Sequence, residues 1–104
     1  MVAFQFEEAT GTLLCKFTGR MDTVASGSAT EQFNAEMEGL RGRAEALRIV
    51  FDLAGVDFVA SSFLRLSLIA AKVVAKGNFS IVGADPQILR VYKIAGLSSL
   101  LNVS

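Results

Sequence analysis

The stretch Leu47 to Gly77, LRIVFDLAGVDFVASSFLRLSLIAAKVVAKG, constrains the fold more than any other part of the chain. Its first part, Leu47 to Leu53, is rich in β-branched and aromatic residues and reads as a short strand buried on both faces. Ala54-Gly55 is expected to break that strand, and Val56 to Ala60 to return as a short extended piece. Ser61 or Ser62 then stands where a helix needs an N-cap, a side-chain oxygen that accepts from the first free backbone N–H groups. The helix is expected from Ser62 to about Lys76, with Gly77 closing it in the left-handed conformation that glycine adopts cheaply.

At about 100° per residue, Ser61, Ser62, Arg65, Ile69, Lys72 and Lys76 fall in one narrow stripe of this helix. Phe63, Leu64, Leu66, Ala70, Ala71, Val73, Val74 and Ala75 occupy the remaining arc, so the helix should be mostly buried with one exposed seam. Two hydroxyls open that seam and three cations continue it, which makes it the natural contact surface. Ser67 lies within the apolar arc, where its hydroxyl can donate to the carbonyl of Phe63 one turn back. That role is structural.

The chain has 104 residues, 52% of them apolar, enough for one domain spanning residues 1–104 with a real core. Ten basic and ten acidic residues cancel, leaving no net field to attract nucleic acid or an anionic membrane. No apolar run approaches the roughly 20 residues of a bilayer span, and the start, MVAFQFEE, lacks the basic opening of a secretory signal. A cytoplasmic protein without membrane insertion is expected. The single cysteine, Cys15, alternates with Leu13 and Phe17 along a strand and reads as a buried reduced thiol. There is no histidine, which removes the commonest general base and the commonest metal ligand; no metal, cofactor or catalytic residue is expected. An enzyme using Ser61 as nucleophile would need Lys72 or a carboxylate as base, neither at a recognised spacing.

Val2 to Glu7 and Thr12 to Thr18 alternate apolar and polar residues around the turn Glu8 to Gly11, the pattern of a hairpin. Gly19 to Asp22 leaves the second strand, and Thr23 to Gly27 reads as a loop. Ser28 and Glu31 have capping-box spacing, so a helix is expected from Ser28, with Ala29, Phe33, Met37 and Leu40 on its buried face. Arg41, Arg43 and Arg48 could form a phosphate site, but neighbouring glutamates, Glu45 among them, favour a solvated connection. Phe79 to Val82 forms another strand. Asp85-Pro86 starts a last helix, with aspartate at the cap and proline at the first helical position. Ile88, Val91, Tyr92 and Ala95 should be its buried face, Gly96 should stop it and Leu97 fold back onto it. Leu100 to Val103 adds an edge strand or packs down.

This order places parallel strands beside one antiparallel edge, with right-handed crossovers and helices covering the sheet. The expected class is α/β, a small mixed sheet made of an N-terminal hairpin plus parallel strands, with three to four helices.

The residues that carry this layout resemble the STAS family, the domain of bacterial anti-sigma factor antagonists. Asp52 to Phe58, DLAGVDF, is similar to the family's D-L-S-G-V-x-F strand, and Ser61, Ser62 and Leu64 match its D-S-S-G-L. Pro86 with Gly96-Leu97 matches the closing P-x-V-x-x-x-x-x-x-G-L segment, and Gly19 to Asp22 looks like its G-x-L-D. The resemblance implies a STAS-like fold and a binding switch with no catalysis of its own. An unphosphorylated antagonist binds an anti-sigma factor that is also a serine kinase, and so frees a sigma factor. The kinase phosphorylates the first serine after the family's aspartate, here Ser61, and a serine phosphatase restores it. Asp22, Ser62, Phe63, Arg65 and Lys72 are the implied partner contacts. Two positions depart from the pattern: Ala60 replaces the aspartate and Phe63 replaces the glycine. Ser61 and Ser62 as plain helix caps, and Asp22 as a capping carboxylate, remain alternatives, as does Asp57 as a turn residue. The alternative function is a STAS subunit that docks constitutively in a transporter, lipid-transport or stressosome-like complex without phosphorylation.

Overall fold

A computed structural model describes residues 1–43 and 46–104, in the order β1 (Val2–Glu7), β2 (Thr12–Met21), α1 (Thr23–Gly39), β3 (Arg48–Val59), α2 (Ser61–Val73), β4 (Phe79–Val82) and α3 (Pro86–Ile94). Glu45 lies outside the described residues. The four strands form one sheet in sequence order, with β1 antiparallel to β2 and β3 parallel to both β2 and β4. The expected mixed sheet, hairpin first and parallel strands after, is present with three helices. At the far edge Val103 bridges Ile81 in parallel, so the tail adds one paired residue and not a strand.

One face of the sheet carries the core. Leu13, Cys15, Phe17 and Met21 of β2 and Ile49, Phe51, Leu53, Val56 and Val59 of β3 are buried together with Phe33, Phe63, Leu66, Ile88 and Tyr92 from the helices. The opposite set, including Lys16, Thr18 and Ala54, is exposed, and Val50 and Asp52 are half-buried. The expectation that the central strand is covered on both faces is therefore corrected: the helices pack on one face only. At the centre, the Phe17 ring meets Phe51 at 4.7 Å and Phe63 at 4.9 Å, both edge-on, and Phe51 meets Phe79 at 5.0 Å. Such edge-to-face pairs each add about 0.5–1.5 kcal/mol beyond the area they bury.

β3 does not break at Ala54-Gly55. It runs on through two bulges, because Lys16 and Thr18 of β2 face Asp52 and Gly55, and Gly19 and Arg20 face Val56 and Phe58. Each bulge places one extra residue on β3 and shifts the side-chain alternation by one. That is why its buried positions step by two up to Leu53 and by three to Val56 and Val59. The Asp52 carboxylate accepts from Ala54 N at 3.0 Å within the first bulge. Gly55 is needed there, since a Cβ would lie 2.9 Å from the Thr18 methyl group. Asp57, read as a turn residue, is an exposed strand residue.

Two helix starts differ from expectation. β2 continues to Met21, and α1 begins at Thr23, with the Asp22 carboxylate accepting from Ala25 N at 2.9 Å. The cap at Asp22 outcompetes the Ser28 capping box because Ser26 also contributes, its hydroxyl donating to the Met21 carbonyl at 3.2 Å in a buried position. Ala29 and Phe33 are buried as the spacing requires, with Met37 and Leu40 packed at the margin. α2 begins at Ser61, with Ala60 as N-cap and no side-chain cap bond, and ends at Val73 because Val74 turns extended. Gly77 is left-handed, at φ 89°, but in the turn after the helix.

α3 starts as expected, Asp85 accepting from Ile88 N at 2.9 Å with Pro86 at the first turn. It ends in a Schellman motif around Gly96: Leu97 N donates to Tyr92 O at 2.9 Å and Gly96 N to Lys93 O at 3.0 Å. Ile88 and Tyr92 are buried, but Val91 is 36% exposed and Ala95 is exposed, so the buried face is narrower than the sequence suggests.

A buried polar chain ties α3 to α2. Ser67 Oγ lies 3.1 Å from Phe63 O, as its place in the apolar arc predicts, and 2.8 Å from Tyr92 Oη. Burial pushes the Tyr92 phenol up to about 12, against a smaller opposing effect of the Ser67 hydrogen bond. Burial, and secondarily the Glu36 carboxylate, also holds the Cys15 thiol neutral well above the ordinary thiol range. Both groups are acids whose folded value is raised. Their contribution to stability is therefore intact below the unfolded values of 9.0 and 10.0 and is lost as pH rises beyond them.

Two predictions follow from this packing. Tyr92 is the one tyrosine in the chain, so tyrosinate absorbance reports it alone. In a pH titration the absorbance should stay flat through pH 10 and rise toward 12, together with loss of helical circular dichroism; a titration centred at 10 in folded protein would contradict the buried tie. Gly27 stands inside α1 with no atom within 4 Å of where its Cβ would be. Gly27→Ala should stabilise the fold by about 0.5–1 kcal/mol, read as a higher midpoint in urea with an unchanged slope.

Candidate functional site

The C-terminal ends of the parallel strands β2 and β3 deliver two helix N-termini side by side. Met21 pairs with Val59 at the end of the β2–β3 ladder, and Ala60 N donates to Met21 O at 2.9 Å. The next residues in each chain segment are Asp22, which caps α1, and Ser61, which opens α2. Open parallel sheets place binding crevices at such strand ends.

Ser61 is exposed at the first position of α2. Neither serine is the cap, which corrects the expectation; Ala60 holds that place and has no oxygen to offer. Phe63 N and Leu64 N donate to Ala60 O at 2.9 and 3.3 Å. Ser62 is half-buried, and its Oγ is enclosed without a hydrogen-bond partner among the described residues. The bulges in β3 turn Ser61 outward and Ser62 inward.

The seam of α2 is exposed where the wheel places it, at Ser61, Arg65, Ile69 and Lys72, with Lys76 in the turn beyond. Asp22 is half-buried, with one carboxylate oxygen engaged by Ala25 N. Phe63 is corrected as a partner contact: it has 0% exposure and lies in the aromatic centre of the core, where the ring fills space beneath the first turn of α2. Asp22, Ser61, Ser62 and Arg65 share this end of the fold, whereas Lys72 stands in the last turn of α2.

Sequence reasoning passed over two neighbours. Val24, in the first turn of α1, is 82% exposed and places an aliphatic group beside the serines. It was hidden among small polar residues that read as a loop. Arg20 holds its guanidinium 3.9 Å from the Phe58 ring centre, on the open side of the same strand ends. Alternation of Arg20 with Phe58 across parallel strands leaves no signal in a single sequence. Arg41 and Arg43, weighed as a phosphate site, are paired with Glu38 at 2.7 Å and Glu8 at 3.0 Å on the surface. Among the described residues no group of three or more His, Cys, Asp or Glu gathers as metal ligands, and no helix is long and apolar enough to cross a membrane.

This arrangement is that of a STAS domain. The chain superposes on an anti-sigma factor antagonist (STAS) domain protein from Planctomyces limnophilus with a TM-score of 0.80, at 19% identity, over 99% of this chain and 87% of that one. The phosphorylated form of the Bacillus cell fate determinant SpoIIAA matches with a TM-score of 0.65, at 19% identity, over 98% and 91% of the two chains. In sequence the chain is similar to a Bordetella bronchiseptica protein provisionally named anti-sigma factor antagonist BtrV, 29% identical over 83 residues, which is 78% of this chain and 71% of that protein. The same fold also occurs within the murine anion transporter Slc26a9, with a TM-score of 0.67 at 16% identity, over 93% of this chain and 16% of the transporter. No protein-family model matches the chain.

The uncapped start of α2 gives a direct test of this geometry. Ala60→Asp restores a side-chain acceptor at the cap and should stabilise the fold by about 1 kcal/mol, seen as a higher thermal midpoint at neutral pH. The gain should shrink as pH falls below the carboxylate range; an unchanged midpoint would mean that the first turn of α2 is already satisfied.

Proposed function

We propose that the chain is a cytoplasmic anti-sigma factor antagonist, a protein-binding switch controlled by phosphorylation of Ser61. The unphosphorylated domain binds an anti-sigma factor serine kinase and so releases a sigma factor; a serine phosphatase resets it. The observation that carries this reading is the exposed Ser61 hydroxyl at the first turn of α2, at the strand ends of a STAS fold. The similarity to BtrV and to a neighbour solved in a phosphorylated form supports it.

The physics of the switch is local. A phosphate on Ser61 adds about −1.5 to −2 charges, and a helix N-terminus tolerates an anion with about 0.3–1 kcal/mol of stabilisation. The domain therefore stays folded. A partner packed on Ser61, Val24 and the stem of Arg65 would have to desolvate that dianion against an aliphatic surface, a cost of several kcal/mol. Binding is lost while the fold is kept. Ala60 removes a carboxylate that would repel the phosphate, so the modified form is easier to accommodate here than beside an aspartate.

A second reading is a constitutive docking subunit, favoured by the same fold within Slc26a9 and by the absence of the family's aspartate at Ala60. The two separate in one experiment. Purified protein is mixed with ATP, magnesium and anti-sigma kinase candidates from the same genome, and intact mass is read alongside pull-down for wild type, Ser61→Ala and Ser62→Ala. The switch requires one added phosphate, lost only in Ser61→Ala, with binding confined to the unphosphorylated form. No phosphate on any variant, or binding indifferent to it, would favour constitutive docking.

A further inference from the structure

At the opposite end of α2 a second site is built from different residues. Val74 leaves the helix in an extended conformation and Gly77 turns the chain back, while the segment after α3 brings Leu100 and Leu101 across the gap. A cavity of about 210 Å³ remains between them. Leu68, Ala71, Val74, Phe79 and Leu101 form its apolar walls. Small side chains leave the space open, since Ala71 and Gly77 stand where larger residues would fill it. Asn102, the one non-glycine residue at positive φ among those described, holds the far wall by donating from Nδ2 to Phe79 O at 3.1 Å.

Lys72 and Lys76 both line this cavity, and both are exposed. Neither has an ion-pair partner among the described residues, and no carboxylate side chain lines the cavity. Lys72 complements the carbonyl end of α2, but Lys76 lies beyond the helix and has no such role. Leu100, on the rim, is 65% exposed, an aliphatic side chain left over water at the mouth. An apolar chamber with two unpaired ammonium groups at its entrance has the chemistry to hold an anionic head and a short hydrocarbon tail.

Size limits the tail. A dry apolar cavity of about 150 Å³ takes up benzene, and pockets for drug-sized ligands run from about 300 Å³. This chamber falls between them and suits a chain of about six to eight carbons. We propose that the cavity between the C-terminal end of α2 and the segment following α3 binds short-chain aliphatic carboxylates, the tail among Leu68, Val74 and Phe79 and the carboxylate between Lys72 and Lys76. The site shares no residue with the Ser61 end except the helix itself, and it stands whether or not Ser61 is phosphorylated.

The test is a titration of the full ¹⁵N-labelled chain, followed by amide chemical shifts, with butanoate, hexanoate and octanoate, and with hexan-1-ol as the uncharged control. Saturable shifts should centre on Ala71, Gly77 and Asn102, and affinity should rise about fourfold per added methylene from butanoate to hexanoate. Replacing both lysines, Lys72→Gln with Lys76→Gln, should weaken hexanoate about tenfold and leave hexan-1-ol unchanged; both residues are exposed, so the fold is kept. Ala71→Leu, which occupies the chamber, should abolish binding of all four, with its folding checked by circular dichroism. Absence of saturable shifts at about 10 mM, tenfold above a millimolar Kd, would overturn the proposal. So would equal affinity for hexanoate and hexan-1-ol, or shifts centred on other residues.

Discussion

The parallel pairing of β2 with β3 is the constraint on which the rest depends. It runs from Thr12 opposite Arg48 to Met21 opposite Val59 and is sealed by Ala60 N on Met21 O. Because both strands end at the same level, the helices that follow them must start together, and the Asp22 cap and the Ser61 turn become neighbours. The pairing also fixes which face of the sheet is dry. Once Phe17 and Phe51 point the same way, Phe63 has one place to go, and its ring anchors the first turn of α2 from below. A glycine at that position would leave the turn held by backbone bonds alone.

The sequence makes some of this legible and hides the rest for identifiable reasons. The hairpin, β4 and the start of α3 are local: alternation, a glycine turn and the Asp-Pro pair specify them within a few residues. The seam of α2 is legible because 3.6-residue periodicity survives in Arg65, Ile69 and Lys72. The continuity of β3 is not, because two bulges each displace the alternation by one residue, and a strand whose buried positions run two, two, three, three looks like a strand followed by a break. The start of α1 is hidden too. Thr23 to Gly27 has weak helix propensity, and only the Asp22 cap and the buried hydroxyl of Ser26 compensate.

The site divides in the same way. The order of motifs places Ser61 and Asp22 at one end of the fold, a relation the ladder explains. Phe63 belongs to the core despite standing between two surface positions, since a helix turns about 100° at each residue. Val24 and Arg20 needed coordinates, because their neighbours come from other elements. Ser67 is the opposite case: a hydroxyl in an apolar arc already announces a bond to its own helix, though not the second one to Tyr92.

The two extra residues of β3 bear on how chains of this kind are compared. Between Asp52 and Val59 the path is longer than the facing path in β2 by one residue at each bulge, and the last of these steps decides whether Ser61 or Ser62 faces outward. An insertion or deletion of a single residue there leaves the core almost unaltered, because the bulge can absorb it, yet exchanges the two serines. Equivalence between this acceptor and one in another chain therefore has to be assigned by superposing the bulges, since matching letters across a gap can align an outward hydroxyl with an inward one.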